Sequence, residues 1–136
     1  MKSNPHKVVL ITAPSGSGKS TLINKLLNEH QHFGFSISAT TRLPRGKEVE
    51  GEDYYYITSD QFKKDIEANA FLEWEMVYDG LYYGTFRSEI ARIQKDHKIP
   101  VLDIDVQGAL SLRKEFGDKA LNIFIKVPSL QVLEER

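Results

Sequence analysis

The sequence predicts an α/β fold in which helices flank a parallel sheet and a mixed, strand-rich insertion interrupts this core. Short apolar segments followed by amphipathic segments occur near both ends of the chain, as in proteins built on parallel sheets. Between residues 35 and 85, strand-like segments follow one another more closely around a long polar loop. We therefore predict a core formed by residues 1–34 and 86–136 and an insertion formed by residues 35–85.

The first elements follow from apolar patterning. Lys7–Thr12 is short, β-branched and apolar without alternation, which is typical of a strand buried on both faces. Lys19–Glu29 has apolar residues at helical spacing, which predicts an amphipathic helix. Phe35–Ala39 is predicted as a second strand, and residues 40–52 as a loop because they contain glycine and proline without an apolar period.

The insertion continues with two predicted strands, Tyr54–Ile57 and Phe71–Tyr78. Thr58 and Gln61 have the spacing of a capping box, which predicts that a helix begins there and covers Ser59–Ala68.

The last part of the chain returns to the alternation of strands and helices. Thr85 is expected to cap a helix whose apolar face contains Ile90 and Ile93 and whose polar face includes Glu89. The remaining predicted elements are strand Ile99–Ile104, helix Gln107–Phe116, strand Leu121–Val127 and a helix beginning within Leu130–Arg136.

Composition limits the classes of function. The 136 residues have a formal net charge of -1, so the protein is not expected to bind nucleic acid through bulk positive charge. No apolar run approaches the roughly 20 residues that a membrane span needs, and the first residues lack the apolar stretch of a signal peptide. The absence of cysteine excludes disulfides, thiol catalysis and thiolate zinc sites. These observations predict a cytoplasmic protein without a membrane partner.

Residues 13–20 match the Walker A pattern, with Ala13 in the first position where glycine is commoner, and lie between a predicted buried strand and an amphipathic helix. Gly16 and Gly18 let successive backbone N–H groups point at one phosphate, and the helix N-terminus adds its positive end. Lys19 is expected to reach the β- and γ-phosphates, and the Ser20 hydroxyl to ligate Mg²⁺. An ordinary Gly/Ser turn is the alternative, which this flanking context disfavours. The predicted ATP-binding residues are Ala13, Pro14, Ser15, Gly16, Ser17, Gly18, Lys19, Ser20 and Thr21.

Asp103 and Asp105 lie at the end of the predicted strand Ile99–Ile104, the position where open α/β sheets place site residues. Asp103 is the better candidate for a Walker B-like role near Mg²⁺, partly through water. Phosphoryl transfer needs mainly positioning and charge neutralisation, so neither carboxylate is assigned as an essential base.

Arg42 and Arg45 lie three residues apart in a loop that is rich in hydroxyl groups. Arginine side chains are planar forks that fit phosphate oxygens, although loop arginines taken alone are more often solvated surface residues. Further blocks follow in order: Gly51–Tyr54, Phe71–Trp74, Tyr82–Thr85 and Leu102–Gly108. With the Walker A segment and these ordered blocks, the chain resembles the guanylate kinase family.

The resemblance implies a P-loop core and the ATP-dependent phosphorylation of GMP, or dGMP, to GDP, with Mg²⁺ as cofactor. It implies that GMP or dGMP and ATP are the partners and that the protein is a monomer or a homodimer. The residues implied to be catalytic are Lys19, Arg42 and Arg45. By similarity, both arginines bind the GMP phosphate with the hydroxyls of Tyr54 and Tyr83, and guanine is faced by Ser38, Glu73, Thr85 and Asp105.

The chemistry of guanine agrees with that assignment. Guanine offers two adjacent donors, N1–H and N2–H₂, which one carboxylate such as Glu73 can accept together. Its O6 and N7 are acceptors, which suit the hydroxyl of Ser38 or Thr85. Adenine has an acceptor at N1, and a site left unpaired in this way can discriminate by roughly 10⁴-fold. Without the neighbouring sequence motifs, Glu73 would instead be interpreted as a charged residue on the solvent-exposed face of a strand.

Family members continue beyond the position of Arg136, into a lid whose arginines close over the transferred phosphate. The fold is therefore expected to be C-terminally incomplete and to lack this lid. The 136-residue chain is expected to bind GMP but to transfer the phosphoryl group at least about a hundredfold more slowly than an extended protein.

Two other functions are weighed. A P-loop GTPase would use Asp105–Gly108 as its DxxG motif, but the NKxD motif that reads guanine is absent. A non-catalytic guanylate-kinase-like binding module of membrane-associated scaffolds would bind phosphopeptides, but those modules typically have degraded P-loops, whereas this one is intact.

Overall fold

The computed structural model describes residues 7–13 and 18–125, which form two four-stranded sheets with helices packed against them. The strands are β1 (Val8–Thr12), β2 (Phe33–Phe35), β3 (Ala39–Thr40), β4 (Tyr55–Tyr56), β5 (Phe71–Tyr78), β6 (Leu81–Phe86), β7 (Ile99–Asp103) and β8 (Ala120–Phe124). The helices are α1 (Lys19–Glu29), α2 (Ser59–Glu67), α3 (Arg87–Lys95) and α4 (Val106–Phe116). None of these described helices is long and apolar enough to cross a membrane.

The first sheet is parallel and has the order β2-β7-β1-β8. Every residue of β1 is buried, as its unbroken apolar pattern predicts. Val8 and Leu10 pack toward α3 and α4, whereas Val9 and Ile11 pack with Ile23 of α1. The core therefore has helices on both faces of a parallel sheet, and the predicted α/β fold is confirmed.

The second sheet is mixed and has the order β4-β3-β6-β5. Strands β3 and β4 are parallel, while β6 pairs antiparallel with both β3 and β5. Phe62 of α2 is fully buried beneath this sheet and stacks on Phe71 and Tyr82, with ring centroids 4.3 Å and 4.9 Å away. This small aromatic core holds the second sheet together.

The prediction of one strand over Phe35–Ala39 is wrong, because the chain changes sheets within this segment. Phe35 pairs with Val101 at the end of β2 in the first sheet, and Ala39 begins β3 in the second. Ser36–Ser38 has no strand structure and forms the connection between the sheets.

Two expectations for the start of α3 are also wrong. Thr85 lies within β6 and its hydroxyl donates to Glu73, so it does not cap α3. Glu89 lies inside the protein, with 3% of its surface exposed, and not on a polar outer face. Helical spacing identifies the outward face of an isolated helix, but it cannot show that the second sheet covers that face.

Other local predictions agree with the structure. The Thr58 hydroxyl caps α2 by accepting from the Gln61 backbone N–H at 3.1 Å. The strand predicted at Leu121–Val127 is present as β8, which spans Ala120–Phe124. The helix predicted within Leu130–Arg136 lies outside the described residues.

The buried position of Phe62 gives a stability prediction. Replacing Phe62 by alanine should lower the free energy of unfolding by about 3–5 kcal/mol, because both stacking partners lose their contact and a cavity remains. Urea denaturation measures this change. The neighbouring exposed substitution Lys63→Ala should change it by less than about 0.5 kcal/mol. Equal effects of the two substitutions would show that the second sheet does not depend on this aromatic core.

Candidate active site

The site begins where the parallel strands β1 and β7 end. Gly18 precedes α1 with a φ of 86°, a left-handed conformation that favours glycine, and Lys19 is the first residue of the helix. The Lys19 Nζ lies 2.6 Å from Oδ1 of Asp103, the last residue of β7. The structure thus brings together the predicted Walker A lysine and the predicted Walker B-like aspartate.

The rest of the predicted Walker A segment is described in part. Ala13 follows β1 directly, and Ser20 and Thr21 lie in the first turn of α1 with exposed side chains. Pro14, Ser15, Gly16 and Ser17 lie outside the described residues.

A cavity of about 470 Å³ lies between this edge of the first sheet and one face of the second sheet. The predicted site residues that line it are Lys19, Ser38, Tyr54, Glu73, Tyr83, Asp103 and Asp105. A neighbouring cavity of about 410 Å³ shares Ser38, Tyr54 and Asp103 with the first and is also lined by Ser20. Residues from distant parts of the sequence therefore meet around two connected spaces.

Glu73 lies in the larger cavity with its carboxylate held in place. Its Oε2 accepts a hydrogen bond from the Thr85 hydroxyl at 2.8 Å, so Thr85 orients Glu73 and does not line the cavity itself. A Cβ added to Gly108 would lie 3.0 Å from Oε1 of Glu73 and 2.5 Å from Ile104, so glycine is required for this close approach. Burial raises the pKa of Glu73, the Thr85 hydrogen bond opposes this, and the charge of Asp105 adds to it.

Glu75 is a cavity residue that the sequence analysis missed. It follows Glu73 on the same face of β5 because strand side chains alternate. A hydrogen bond with the Asp105 side chain, together with burial and the charges of Asp105 and Glu73, raises the pKa of Glu75 to about 7. Asp105 also caps α4 by accepting from the Gly108 backbone N–H at 2.8 Å. Asp105 thus both caps α4 and lines the larger cavity.

Arg42 is held beside the cavity by a second residue that the sequence analysis missed, Glu48. Its two terminal nitrogens donate to the two oxygens of Glu48 at 2.7 Å and 2.8 Å, and its guanidinium lies 4.9 Å from the centre of the Tyr54 ring. This ion pair, with the backbone N–H of Arg45, lowers the pKa of Glu48 to about 2. The loop shows no periodicity, so no local pattern could have identified Glu48 as the partner of Arg42.

Arg45 is a predicted site residue whose side chain the structure does not bring to either cavity. Its backbone N–H donates to Glu48 at 2.8 Å, but its side chain is exposed and lines neither cavity. Its assignment to the phosphate remains a prediction.

The contact between Glu75 and Asp105 predicts a dependence of stability on pH. The pKa of Glu75 in the folded protein lies above its ordinary value of 4.5, so the protein loses stability as the pH rises from about 4.5 to about 7 and Glu75 becomes charged beside Asp105. Glu75→Gln removes this repulsion. It should raise the free energy of unfolding at pH 8 by about 1–2 kcal/mol, a value reduced for the partial exposure of the side chain.

Urea denaturation at pH 8 and pH 5 measures this difference, most of which should vanish at pH 5. Glu67→Gln, an exposed substitution on α2, is the matched control and should show no such dependence. An equal effect of Glu75→Gln at the two pH values would show that repulsion between Glu75 and Asp105 does not cause the pH dependence.

Comparisons with known proteins agree with this geometry. The profile of the guanylate kinase family matches residues 5–136. The chain is 50% identical over 131 residues to a guanylate kinase of Porphyromonas gingivalis, covering 96% of this chain and 70% of that protein. It is 45% identical over 134 residues to a guanylate kinase of Sus scrofa, covering 98% of this chain and 66% of that protein.

A solved structure shows the same fold. The crystal structure of guanylate kinase from Anaplasma phagocytophilum matches with a TM-score of 0.78 and 30% sequence identity, covering 96% of this chain and 65% of that one. The chain thus spans about two thirds of the length of these relatives. With the family profile matched over nearly every residue, the chain belongs to the guanylate kinase family of ATP:GMP phosphotransferases.

Proposed function

We propose that the larger cavity binds GMP or dGMP and that Lys19 and its neighbours bind the phosphates of ATP, whose γ-phosphoryl group passes to the nucleoside monophosphate. The observation that supports this proposal best is the oriented carboxylate of Glu73, in a cavity that is also lined by Lys19. We also predict that the protein is cytoplasmic and that it is a monomer or a homodimer.

The guanine end of the cavity is defined by acceptors. One oxygen of Glu73 is occupied by the Thr85 hydroxyl, which fixes the plane of the carboxylate, and both oxygens retain lone pairs for N1–H and N2–H₂ of guanine. Two donors arriving at a buried carboxylate stabilise its charged form, and so offset the burial that raises its pKa. Ser38, with a hydroxyl that can donate, lines the same cavity and suits an acceptor such as O6 or N7.

The phosphate end is defined by donors. Arg42 lies against Tyr54, and the hydroxyls of Tyr54 and Tyr83 belong to the cavity lining. Glu48 engages both terminal nitrogens of Arg42 and so aligns the plane of the guanidinium. Nη1 also donates to the Leu43 carbonyl at 3.0 Å, so the Nε–H and one N–H of Nη2 are left for phosphate oxygens. We assign Arg45 to the same phosphate by similarity to the family.

The transfer itself needs alignment and charge neutralisation. The γ-phosphoryl group leaves the bridging oxygen of ADP and bonds to a phosphate oxygen of GMP, giving ADP and GDP. Lys19, at the N-terminus of α1, would neutralise charge on the β- and γ-oxygens, and Asp103, whose Oδ1 lies 2.6 Å from the Lys19 Nζ, would orient it.

A magnesium ion fits the oxygen ligands available beside Lys19. The Ser20 hydroxyl and the Asp103 carboxylate line the same cavity, and Mg²⁺ prefers such ligands together with water and phosphate oxygens. No group of three or more acidic or histidine side chains that could hold a metal occurs among the described residues, so much of its coordination would come from the nucleotide. When bound, the ion supplies positive charge to the phosphates.

The guanine assignment is tested by calorimetry with three monophosphates and no ATP. GMP should bind most tightly, IMP less tightly because it lacks the 2-amino group, and AMP weakest because its N1 faces Glu73 with a lone pair. Glu73→Gln places an amide donor against the guanine donors, so GMP affinity should fall about 10- to 100-fold and the preference over IMP should shrink. Glu67→Gln should leave all three affinities unchanged. Equal affinity of the unaltered chain for GMP and AMP would contradict the guanine assignment.

The phosphate assignment is tested by exchanging one cation for another. Arg42→Lys retains the charge but loses the planar fork, so GMP affinity should fall about tenfold or more while the weaker affinity for guanosine stays the same. Arg87→Lys is the matched control, because Arg87 is exposed and donates to Asn69 outside the cavity. A loss of guanosine binding equal to the loss of GMP binding would show that Arg42 supports the loop and not the phosphate.

A further inference from the structure

Glu89 is the one charged residue in the buried class within residues 7–13 and 18–125, with 3% of its surface exposed. It lies in the first turn of α3, on the core side of the molecule. A buried carboxylate is costly unless it is paired and hydrogen-bonded. The proposed transfer makes no use of Glu89, so its retention calls for another task.

The carboxylate of Glu89 is bonded through both oxygens. Oε1 accepts from the Ile37 backbone N–H at 3.0 Å and from Nη2 of Arg92 at 2.6 Å. Oε2 accepts from the Tyr55 hydroxyl at 2.8 Å and from Nε of Arg92 at 3.3 Å. Burial by itself would raise the pKa of Glu89, but these bonds outweigh it and leave the pKa below its ordinary value, so the group is charged at neutral pH.

These partners come from three separate parts of the chain. Arg92 is one turn further along α3, and Ile37 is the central residue of the connection between the two sheets. Tyr55 belongs to β4 of the second sheet. Glu89 therefore joins the core to the second sheet at the point where the chain passes between them.

Each of the two distant partners adjoins a residue of the nucleotide cavity. Ile37 precedes Ser38, and Tyr55 follows Tyr54, and both Ser38 and Tyr54 line the two cavities. The same two segments are bonded to each other, because the Tyr55 backbone N–H donates to the Ser38 carbonyl at 2.9 Å. A displacement of Glu89 would therefore reach Ser38 through Ile37 and Tyr54 through Tyr55, in each case across a single peptide bond.

We propose that Glu89 is a positioning residue for GMP binding, which sets Ser38 and Tyr54 relative to the core through its bonds to Ile37 and Tyr55. This inference rests on the proposed function, since it takes the larger cavity as the GMP site. Glu89 touches no substrate. Its effect is confined to the insertion side of the site, because Lys19, Ser20 and Asp103 are placed by β1, α1 and β7.

The test uses Glu89→Gln and Tyr55→Phe in the full chain, with Glu67→Gln as an exposed control. Glu89→Gln keeps the size of the side chain, removes its charge and replaces one acceptor by a donor. The GMP dissociation constant from calorimetry should rise about tenfold, and that for ATP with Mg²⁺ should stay within about twofold. Tyr55→Phe removes one hydrogen bond to Glu89. It should raise the GMP dissociation constant about threefold, again without changing the dissociation constant for ATP.

Hydrogen exchange supplies a readout that does not depend on ligand. The Ile37 amide should exchange faster in Glu89→Gln than in the unaltered chain, because its acceptor has lost its charge. Equal losses of GMP and ATP affinity in Glu89→Gln and Tyr55→Phe would assign Glu89 a purely structural role and overturn the proposal. Unchanged GMP affinity with faster Ile37 exchange would overturn it as well.

GMP binding by the unaltered chain distinguishes a failure of this inference from a failure of the proposed function. If the unaltered chain does not bind GMP, the proposed function fails and the inference fails with it. If the unaltered chain binds GMP and the variants bind it equally well, the inference alone is overturned. If Glu89→Gln does not fold, Tyr55→Phe decides the matter, because it leaves the buried charge and its pairing with Arg92 intact.

Discussion

The parallel pairing of β1 with β7 determines where the site can form. Ile11 lies opposite Asp103 in this pairing, so both strands end at the same edge of the sheet. The chain leaves β1 toward Gly18 and Lys19, and leaves β7 toward Asp105 and α4. The shared register places the ends of β1 and β7 at one edge of the sheet, where Lys19 and Asp103 meet, as expected for ligand sites at the carboxyl ends of parallel strands.

Two cations of the site, Lys19 and Arg42, are each paired with a carboxylate. Lys19 is paired with Asp103, and Arg42 is paired with Glu48 through two parallel bonds. Such pairs limit the side-chain freedom that would otherwise be lost on binding, and they keep clustered positive charge compensated. A phosphate that arrives must share these cations with their carboxylates or displace them, so affinity depends on the geometry of each pair as well as on its charge.

The sequence predicted the core of this arrangement because the relevant signals are local. An unbroken apolar strand, a glycine-rich turn and a helix at Lys19 are adjacent in the chain, and their predicted bounds agree with β1 and α1. The errors fall where partners are distant. Glu89 is 52 residues from Ile37, and Thr85 is 12 residues from Glu73, so periodicity assigned the first to solvent and the second to a helix cap. The family resemblance implied that Thr85 faces guanine, which stays a prediction, and it did not show that the Thr85 hydroxyl donates to Glu73.

Under the proposed function, the division of charge across the larger cavity would let one space hold both ends of a nucleoside monophosphate. Glu73, Glu75 and Asp105 gather at one part of the lining, while Lys19 lines another and Arg42 lies close to Tyr54. Guanine presents donors and phosphate presents acceptors, so a reversed ligand would place like groups together at both ends. The raised pKa of Glu75 is a consequence of that division, since three carboxyl groups close together cannot all remain charged without cost. A neutral Glu75 keeps a hydrogen bond to Asp105 and leaves Glu73, held by Thr85, as the carboxylate available to the base.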